Sequence, residues 1–402
     1  MTESDMADKR CEKRYMELAI ELAEKGCGRV NPNPMVGAVI VKDGRIIGQG
    51  YHARYGEFHA ERAALAACTE DPAGADMYVT LEPCCHYGKQ PPCTEAIIES
   101  GIKHVIIGSD DPNELVAGKG IEILESKGIS VTRGFMKAEC DAINSVFFHY
   151  ITTGLPYVVM KYAMTMDGKI AAYTGKSKWI TGEAARKRVH EDRNRYAAIM
   201  AGIGTVLKDD PMLNCRIPEG SSPIRIICDT HLRIPVDSQI VKTAGDYRTI
   251  IAAGIADSDE LSVISTASVE DAAAAENERM TAEQQKRREA LQDLGCEVLL
   301  LPTQDGHVDL YELMKKLGSM KIDSVFVEGG AALNWSALEA GIVNKIQTYI
   351  APKILGGRQA PSPVSGCGAD EPDSAVMLSE PEITRLGNDI LLESEVISCL
   401  RE

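Results

Sequence analysis

The chain has 402 residues, more than one hydrophobic core usually organises, so two domains are expected. Apolar residues at 44% and charged residues at 25% describe an ordinary globular protein, and with only five Phe and two Trp its cores must be largely aliphatic. A formal net charge of -16 with no long Lys/Arg run excludes nucleic acid as the expected partner, and no apolar stretch reaches the ~18 to 20 residues of a membrane span.

Twelve dilute, unevenly spaced cysteines with no apolar leader ahead of them predict reduced thiols in a cytoplasmic protein. The first ten residues read as a polar extension. Apolar residues at Met16, Ala19, Ile20 and Ala23 then predict an amphipathic helix over 12–25. Asn31-Pro32-Asn33-Pro34 is a turn cluster, and Asp43-Gly44 between two β-branched runs predicts a hairpin of 35–41 and 45–50. Strands follow at 77–81, 104–109 and 129–132, alternating with helices at 60–68, 94–100, 120–127 and 139–150. Such alternation predicts an α/β layer fold with a partly parallel sheet. The stretch 152–156 reads as a linker.

A second α/β pattern begins at Tyr157, with strands expected at 157–164, 197–200, 224–228, 249–253, 297–301, 324–328 and 345–350. Within it, 268–294 is rich in Ala, Glu, Gln, Arg and Lys and reads as a solvated helical insertion. The tail from Arg358 is expected to hold a loop and two closing strands.

Chemistry is concentrated in His59-Ala60-Glu61 and in Pro83-Cys84-Cys85-His86-Tyr87-Gly88-Lys89-Gln90-Pro91-Pro92-Cys93. A hydrolytic zinc needs three protein ligands and one open position, which His59, Cys84 and Cys93 supply. Both cysteines fall near expected helix N-termini, where backbone N–H groups favour thiolate over thiol. Residues two apart diverge by roughly 200° on a regular helix, so His59 and Glu61 serve one site only if the metal lies off the first turn. Glu61 then stays uncoordinated and moves a proton from the attacking water to the leaving amine. The competing possibility is a closed structural site completed by Cys85 or His86, although such a site has no use for Glu61.

The His-Ala-Glu and Pro-Cys pair resembles the zinc-dependent cytidine deaminase superfamily, whose usual pattern is H-x-E with P-C-x-x-C. Here the second cysteine is displaced to Pro92-Cys93. Together with Asn31-Pro-Asn-Pro-Met-Val-Gly-Ala-Val and Asp111-Pro-Asn, this resembles the deaminase half of the bifunctional riboflavin-biosynthesis deaminase/reductase family. That family more often has Thr where this chain has Gln90. The resemblance implies a cytidine-deaminase-like three-layer α/β domain over 11–153. It also implies a substrate, the phosphoribosylamino diaminopyrimidinone of early flavin synthesis, which loses its 2-amino group as ammonia. Asn33, His52, His86 and Lys89 become substrate contacts, with Lys89 toward the phosphate.

In the second half Gly202-Ile203-Gly204-Thr205 lacks the third glycine of a dinucleotide fingerprint. Glu328-Gly329-Gly330 before an Ala-rich run is a better anion site, where a helix N-terminus meets close backbone approach. Lys161-Tyr-Ala-Met-Thr-Met-Asp167-Gly-Lys, Ser177-Lys-Trp179-Ile-Thr181, Thr205-Val-Leu-Lys-Asp209-Asp-Pro and Leu213-Asn-Cys-Arg216 resemble the reductase half of the same family, similar in fold to dihydrofolate reductase. The resemblance assigns 154–402 to an NADPH-dependent reductase. It places Ala163, Trp179, Thr205, Asp209 and Gly330 against NADPH, and Ser177, Arg193, Leu213, Arg216 and Glu328 against the substrate.

Arg193 and Arg216 could clamp a ribose phosphate bidentately, and Glu328 could hold ribose hydroxyls. Hydride would pass to C1′ of the opened ribosyl group, with Asp209 and Lys161 both open as proton donors. Self-association through the reductase half is also implied. The rivals are another nucleoside or polynucleotide deaminase with an accessory domain, and a non-catalytic zinc-stabilised scaffold.

Overall fold

The computed structural model describes residues 3–255 and 281–398, and the chain divides into compact units at Gly154/Leu155. The first unit begins with α1 (Glu3–Glu24), so the helix runs back through the polar segment that composition set outside the domain. Then follow β1 (Gly37–Lys42), β2 (Arg45–Tyr51), α2 (Ala60–Ala66), β3 (Asp76–Leu81), α3 (Cys93–Glu99), β4 (His104–Ser109), α4 (Lys119–Ser126), β5 (Ser130–Thr132), α5 (Lys137–Ile143) and α6 (Ser145–Thr153). The β1–β2 hairpin turns on Asp43 and Gly44, both at positive φ (50° and 73°), the backbone that a two-residue type I′ turn needs.

The sheet order is β2-β1-β3-β4-β5, with β1 antiparallel to both neighbours and β3, β4 and β5 parallel. Strand alternation sorts the core into two layers. Ala38, Ile40, Met77, Val79 and Val105 face α2, α3 and α4, while Val39, Val41, Tyr78 and Ile106 face α1 and α5. Gly50 lets α2 lie directly on β2, because any Cβ there would strike the backbone of Ala63 and Ala64.

The single helix expected over 139–150 is two helices. Their junction, Asn144, is 2% exposed, and its side chain pairs with both backbone groups of Met35, accepting from its N–H at 2.9 Å and donating to its C=O at 2.9 Å. A long-range contact therefore ends α5 and re-aims α6.

The second unit comprises β6 (Tyr157–Thr165), α7 (Glu183–Arg195), β7 (Ala198–Gly202), α8 (Ile203–Asp209), β8 (Ile224–Cys228), α9 (Gln239–Lys242), β9 (Thr249–Gly254), α10 (Ala282–Asp293), β10 (Glu297–Leu301), β11 (Thr303–Gln304), β12 (His307–Val308), α11 (Leu310–Ser319), β13 (Ser324–Val327), α12 (Ala331–Glu339), β14 (Lys345–Ala351), β15 (Met377–Leu378), β16 (Glu382–Leu386) and β17 (Asp389–Ser398). The main sheet runs β10-β9-β8-β7-β13-β6-β14-β17, parallel as far as β14. β17 is antiparallel to β14 and also pairs with β15 and β16, so the tail carries one more strand than expected. One face packs Val158, Met160, Met200, Ile226 and Val327 on α11 and α12; the other packs Ile199, Ala201, Ile227 and Ile251 on α8, α9 and Leu291 of α10.

Of the 268–294 insertion, 268–280 lies outside the described residues. The remainder is α10, opened by a Thr281/Gln284 capping box. It is largely solvated, as expected, and is anchored to the core at two points. Leu291 is 1% exposed, and Arg287 donates to the carbonyls of Leu232 and Ile234.

Candidate active sites

His59 is the N-cap of α2, Cys93 opens α3, and Cys84 lies in the loop after β3. This placement solves the spacing problem in the sequence, because a non-helical N-cap residue (φ -69°, ψ 161°) need not follow the helical period. The His59 Nδ1 stands 3.4 Å from both sulfurs, and the three donor atoms lie within 4.8 Å of one another. Among the described residues no fourth ligand joins them. The Cys85 thiol instead donates to Leu115 O at 3.5 Å, which removes it from the closed-shell alternative. One imidazole and two sulfurs with a side left open fit zinc.

The protons follow from the geometry. A hydrogen bond from the Cys93 thiol is the largest influence on Cys84; with the His59 ring and the Cys93 N–H it lowers the Cys84 pKa to about 4 against burial. The same bond, with burial, holds Cys93 well above its ordinary value, and the Cys84 thiolate raises His59. Glu61 is 3% exposed on the first turn of α2. Burial first, then the Cys84 thiolate, lift its pKa to about 7, a value suited to moving a proton at neutral pH.

His59, Glu61 and Cys84 line a cavity of about 310 Å³ together with Asn33, His52, His86 and Lys89, while Cys93 is fully buried. His52 Nδ1 is 3.0 Å from Phe58 O, so that nitrogen carries the hydrogen and Nε2 accepts from Asn33 Nδ2 at 3.2 Å. Burial lowers the His52 pKa and keeps the ring neutral, which leaves the Asn33 carbonyl oxygen for a ligand donor. His86 presents a buried Nδ1 with no partner among the described residues. Lys89 Nζ rests 4.0 Å from the centre of the Tyr55 ring, and Gln90 Nε2 donates to Gly56 O at 3.1 Å, tying the metal loop to the turn before His59.

Sequence reasoning missed three parts of this site. Glu82, 3% exposed, accepts from the N–H groups of Gly118 (3.0 Å), Ile121 (3.4 Å) and Asp111 (3.5 Å), clamping the 111–118 loop beneath the metal loop. Asp111 lines the cavity, its carboxyl pushed up to about 6 by burial. Phe147, Tyr150 and Ile151 of α6 form an apolar wall.

In the second unit a cavity of about 550 Å³ opens at the carboxyl ends of β6 and β13. Ala163, Ser177, Trp179, Arg193, Asp209, Leu213, Arg216 and Glu328 all line it. Thr205 and Gly330 do not; they adjoin each other beside it, with Thr205 Oγ1 3.8 Å from where a Gly330 Cβ would sit. Asn334 on α12, 1% exposed, faces the cavity with an Oδ1 that has no partner among the described residues, an acceptor suited to an incoming donor. That acceptor and the glycine turn at a helix N-terminus fit a dinucleotide phosphate and amide.

The two-arginine clamp is not what the structure presents. Arg193 Nε donates to Glu328 at 2.6 Å and its Nη1 to Asn214 O at 3.0 Å, while Lys161 Nζ stands 3.5 Å from the other Glu328 oxygen. Burial pushes the Glu328 pKa up, but Arg193 and Lys161 outweigh it and hold the carboxyl at about 2. Arg193 is thus committed to a carboxylate 135 residues away, and Arg216 alone remains for a phosphate.

Residues 156–392 match the family described as RibD C-terminal domain, and 9–109 match the cytidine and deoxycytidylate deaminase zinc-binding region. The riboflavin biosynthesis protein RibD of Actinobacillus pleuropneumoniae is 51% identical over 386 residues, 96% of each chain, and that of Bacillus amyloliquefaciens is 42% identical over 95% of each. Among solved structures, an Acinetobacter baumannii RibD superposes with a TM-score of 0.81 at 33% identity, covering 97% of this chain and 99% of that one. The Thermotoga maritima diaminohydroxyphosphoribosylaminopyrimidine deaminase/5-amino-6-(5-phosphoribosylamino)uracil reductase superposes at 0.78 and 36% identity, covering 96% and 99%.

Proposed function

The chain belongs to the RibD family of bifunctional riboflavin-biosynthesis deaminase/reductases, and from that premise we propose how its own residues divide the two reactions. His59, Cys84 and Cys93 hold zinc. Bound there, the metal makes a water nucleophilic at neutral pH. Glu61 takes the proton of that water and returns it to the departing 2-amino group of the diaminopyrimidinone. Asn33, oriented by His52, accepts from the ring, the α6 wall excludes water, and Lys89 reaches the ribosyl phosphate.

The observation that carries this half is the open His-Cys-Cys triad beside a buried, uncoordinated carboxylate. Glu61→Gln should keep the metal and lose deamination by roughly 10² to 10⁴-fold, the usual worth of a positioned acid/base. Loss of zinc together with activity would instead make Glu61 a structural residue.

In the second unit NADPH supplies hydride to C1′ of the opened ribosyl group when bound. Ala163, Trp179, Asp209 and the Thr205/Gly330 pair support its binding. Glu328, fixed by Arg193 and Lys161, accepts from ribose hydroxyls, with Ser177 and Leu213 beside it and Arg216 toward the phosphate. Among the described residues Lys161 and Arg193 are the cations on Glu328, and Lys161 and Asp209, both lining the cavity, stay open as proton donors.

A cytoplasmic location is supported by the zinc thiolates, which need a reducing compartment, and by cysteines such as Cys68, Cys140, Cys228 and Cys296 that are in no disulfide among the described residues. Self-association through the second unit rests on the family resemblance; sedimentation of the full chain tests it.

A further inference from the structure

α7 is strongly polar, and its residues at i, i+3 and i+4 lie on one face. Here they are His190, Arg193 and Asn194, and each grips the segment after α8. Arg193 donates to Asn214 O at 3.0 Å, and Asn194 Oδ1 accepts from Ser221 N–H at 2.8 Å. Between them His190 makes two contacts. Its backbone carbonyl accepts from Cys215 Sγ at 3.4 Å, and its ring Nε2 accepts from Arg216 Nε at 3.2 Å.

The last contact is specific in kind. Nε2 is an acceptor only when unprotonated, so the ring hydrogen sits on Nδ1, which is buried and has no partner among the described residues. Among the described residues the charged groups facing the ring are the cations Arg193, Arg216 and Lys161 and the anion Glu328. Burial first and then the two arginines keep its pKa down to about 4, so the acceptor is available throughout the neutral range. Arg216 is otherwise exposed, and among the described residues its terminal nitrogens have no partner. An arginine held only by its Nε presents the two terminal amino groups as a fork, the geometry that matches a phosphate.

We propose that His190 is a positioning residue of the reductase site: by holding Arg216 through Nε it presents the rest of the guanidinium to the 5′-phosphate of the substrate. This rests on the reading above that Arg216 meets the phosphate. An exposed arginine without such an anchor must be ordered by the ligand, and the entropy of four rotatable bonds then appears as weaker binding.

The test is steady-state NADPH oxidation by the full chain on the deaminated ribosylamino phosphate and on its dephosphorylated counterpart. His190→Phe, which cannot accept, should raise KM for the phosphorylated substrate about tenfold, in keeping with a lost charge-assisted hydrogen bond. Its kcat, its KM for NADPH, and its activity on the dephosphorylated substrate should stay within about twofold of wild type, well below that loss. His190→Gln, whose amide oxygen still accepts, should restore most of the affinity. Deaminase activity of each variant reports that the chain has folded.

Equal damage on both substrates, a fall in kcat without a rise in KM, or a Gln variant as impaired as Phe would overturn the proposal. Arg216→Ala separates it from its premise. If Arg216→Ala leaves KM unchanged, the phosphate assignment fails; if it raises KM while His190→Phe does not, the assignment stands and the role of His190 fails.

Discussion

Replacing Arg193 by Met should uncouple the two activities of one polypeptide. Arg193 and Glu328 are each 12% exposed and meet at 2.6 Å, and Lys161 at 3.5 Å is the other cation on that carboxylate among the described residues. Holding Glu328 at about 2 rather than 4.5 corresponds to about 3 kcal/mol at roughly 1.4 kcal/mol per pH unit. Because the folded pKa is depressed, this stabilisation is fully present above about pH 4.5 and is lost as pH falls toward 2.

With Met at 193, burial is opposed only by the more distant lysine, and the carboxyl rises above its ordinary range. The variant should therefore lose about 3 kcal/mol at neutral pH, within the cost of breaking a buried pair. For a unit of this size that is roughly a 6 to 12 °C fall in the reductase melting transition. Reductase kcat/KM should fall and acquire an acid limb at a higher pH than any this group gives wild type, because burial raises the Glu328 pKa once Arg193 is gone. Ammonia release in the same preparation should be unchanged. A variant whose reductase pH profile and melting transition superpose on wild type would refute the role given to this pair.

Zinc loading of chelator-stripped protein should release protons, measurable with a pH indicator. Cys93 gives up one, since it is held protonated while Cys84 is already thiolate, and His59 adds a fraction that shrinks as pH rises. Release of none would contradict the proton assignment. Asn144→Ala removes two hydrogen bonds and strands the Met35 backbone, so it should cost about 2 kcal/mol by denaturant melting and weaken substrate binding through Asn33; wild-type stability would show the α5/α6 break to be incidental. Gln90→Thr loses the bond to Gly56 O at a part-buried site and should cost no more than about 1 kcal/mol with deamination retained, whereas a deaminase-dead variant would give Gln90 a direct role.

The sequence was most legible where function depends on short spacing. His59, Glu61 and Cys93 sit on helix starts that their own neighbours define, with Cys84 in the loop just before, and the strand–helix alternation placed the strands from β1 to β10, with β13 and β14, within a residue or two. What stayed hidden depends on distant partners. Apolar spacing runs smoothly through Asn144, and only its pairing with Met35 breaks the helix and delivers Phe147, Tyr150 and Ile151 to the cavity.

α7 has almost no apolar periodicity, burying only Ala185, Val189 and Asp192, so nothing marked it as the scaffold of a site. Arg193 read as a phosphate clamp because its partner Glu328 lies across the sheet on another strand's end. The polar run of α10 concealed one buried leucine and an arginine that binds two carbonyls.

The most direct test of the account follows ammonia release and NADPH oxidation together on the diaminopyrimidinone phosphate, for wild type beside Glu61→Gln. Sequential sites predict both signals in wild type and neither in the variant, with NADPH oxidation restored when the deaminated compound is supplied. NADPH oxidation by Glu61→Gln on the undeaminated substrate would contradict that order.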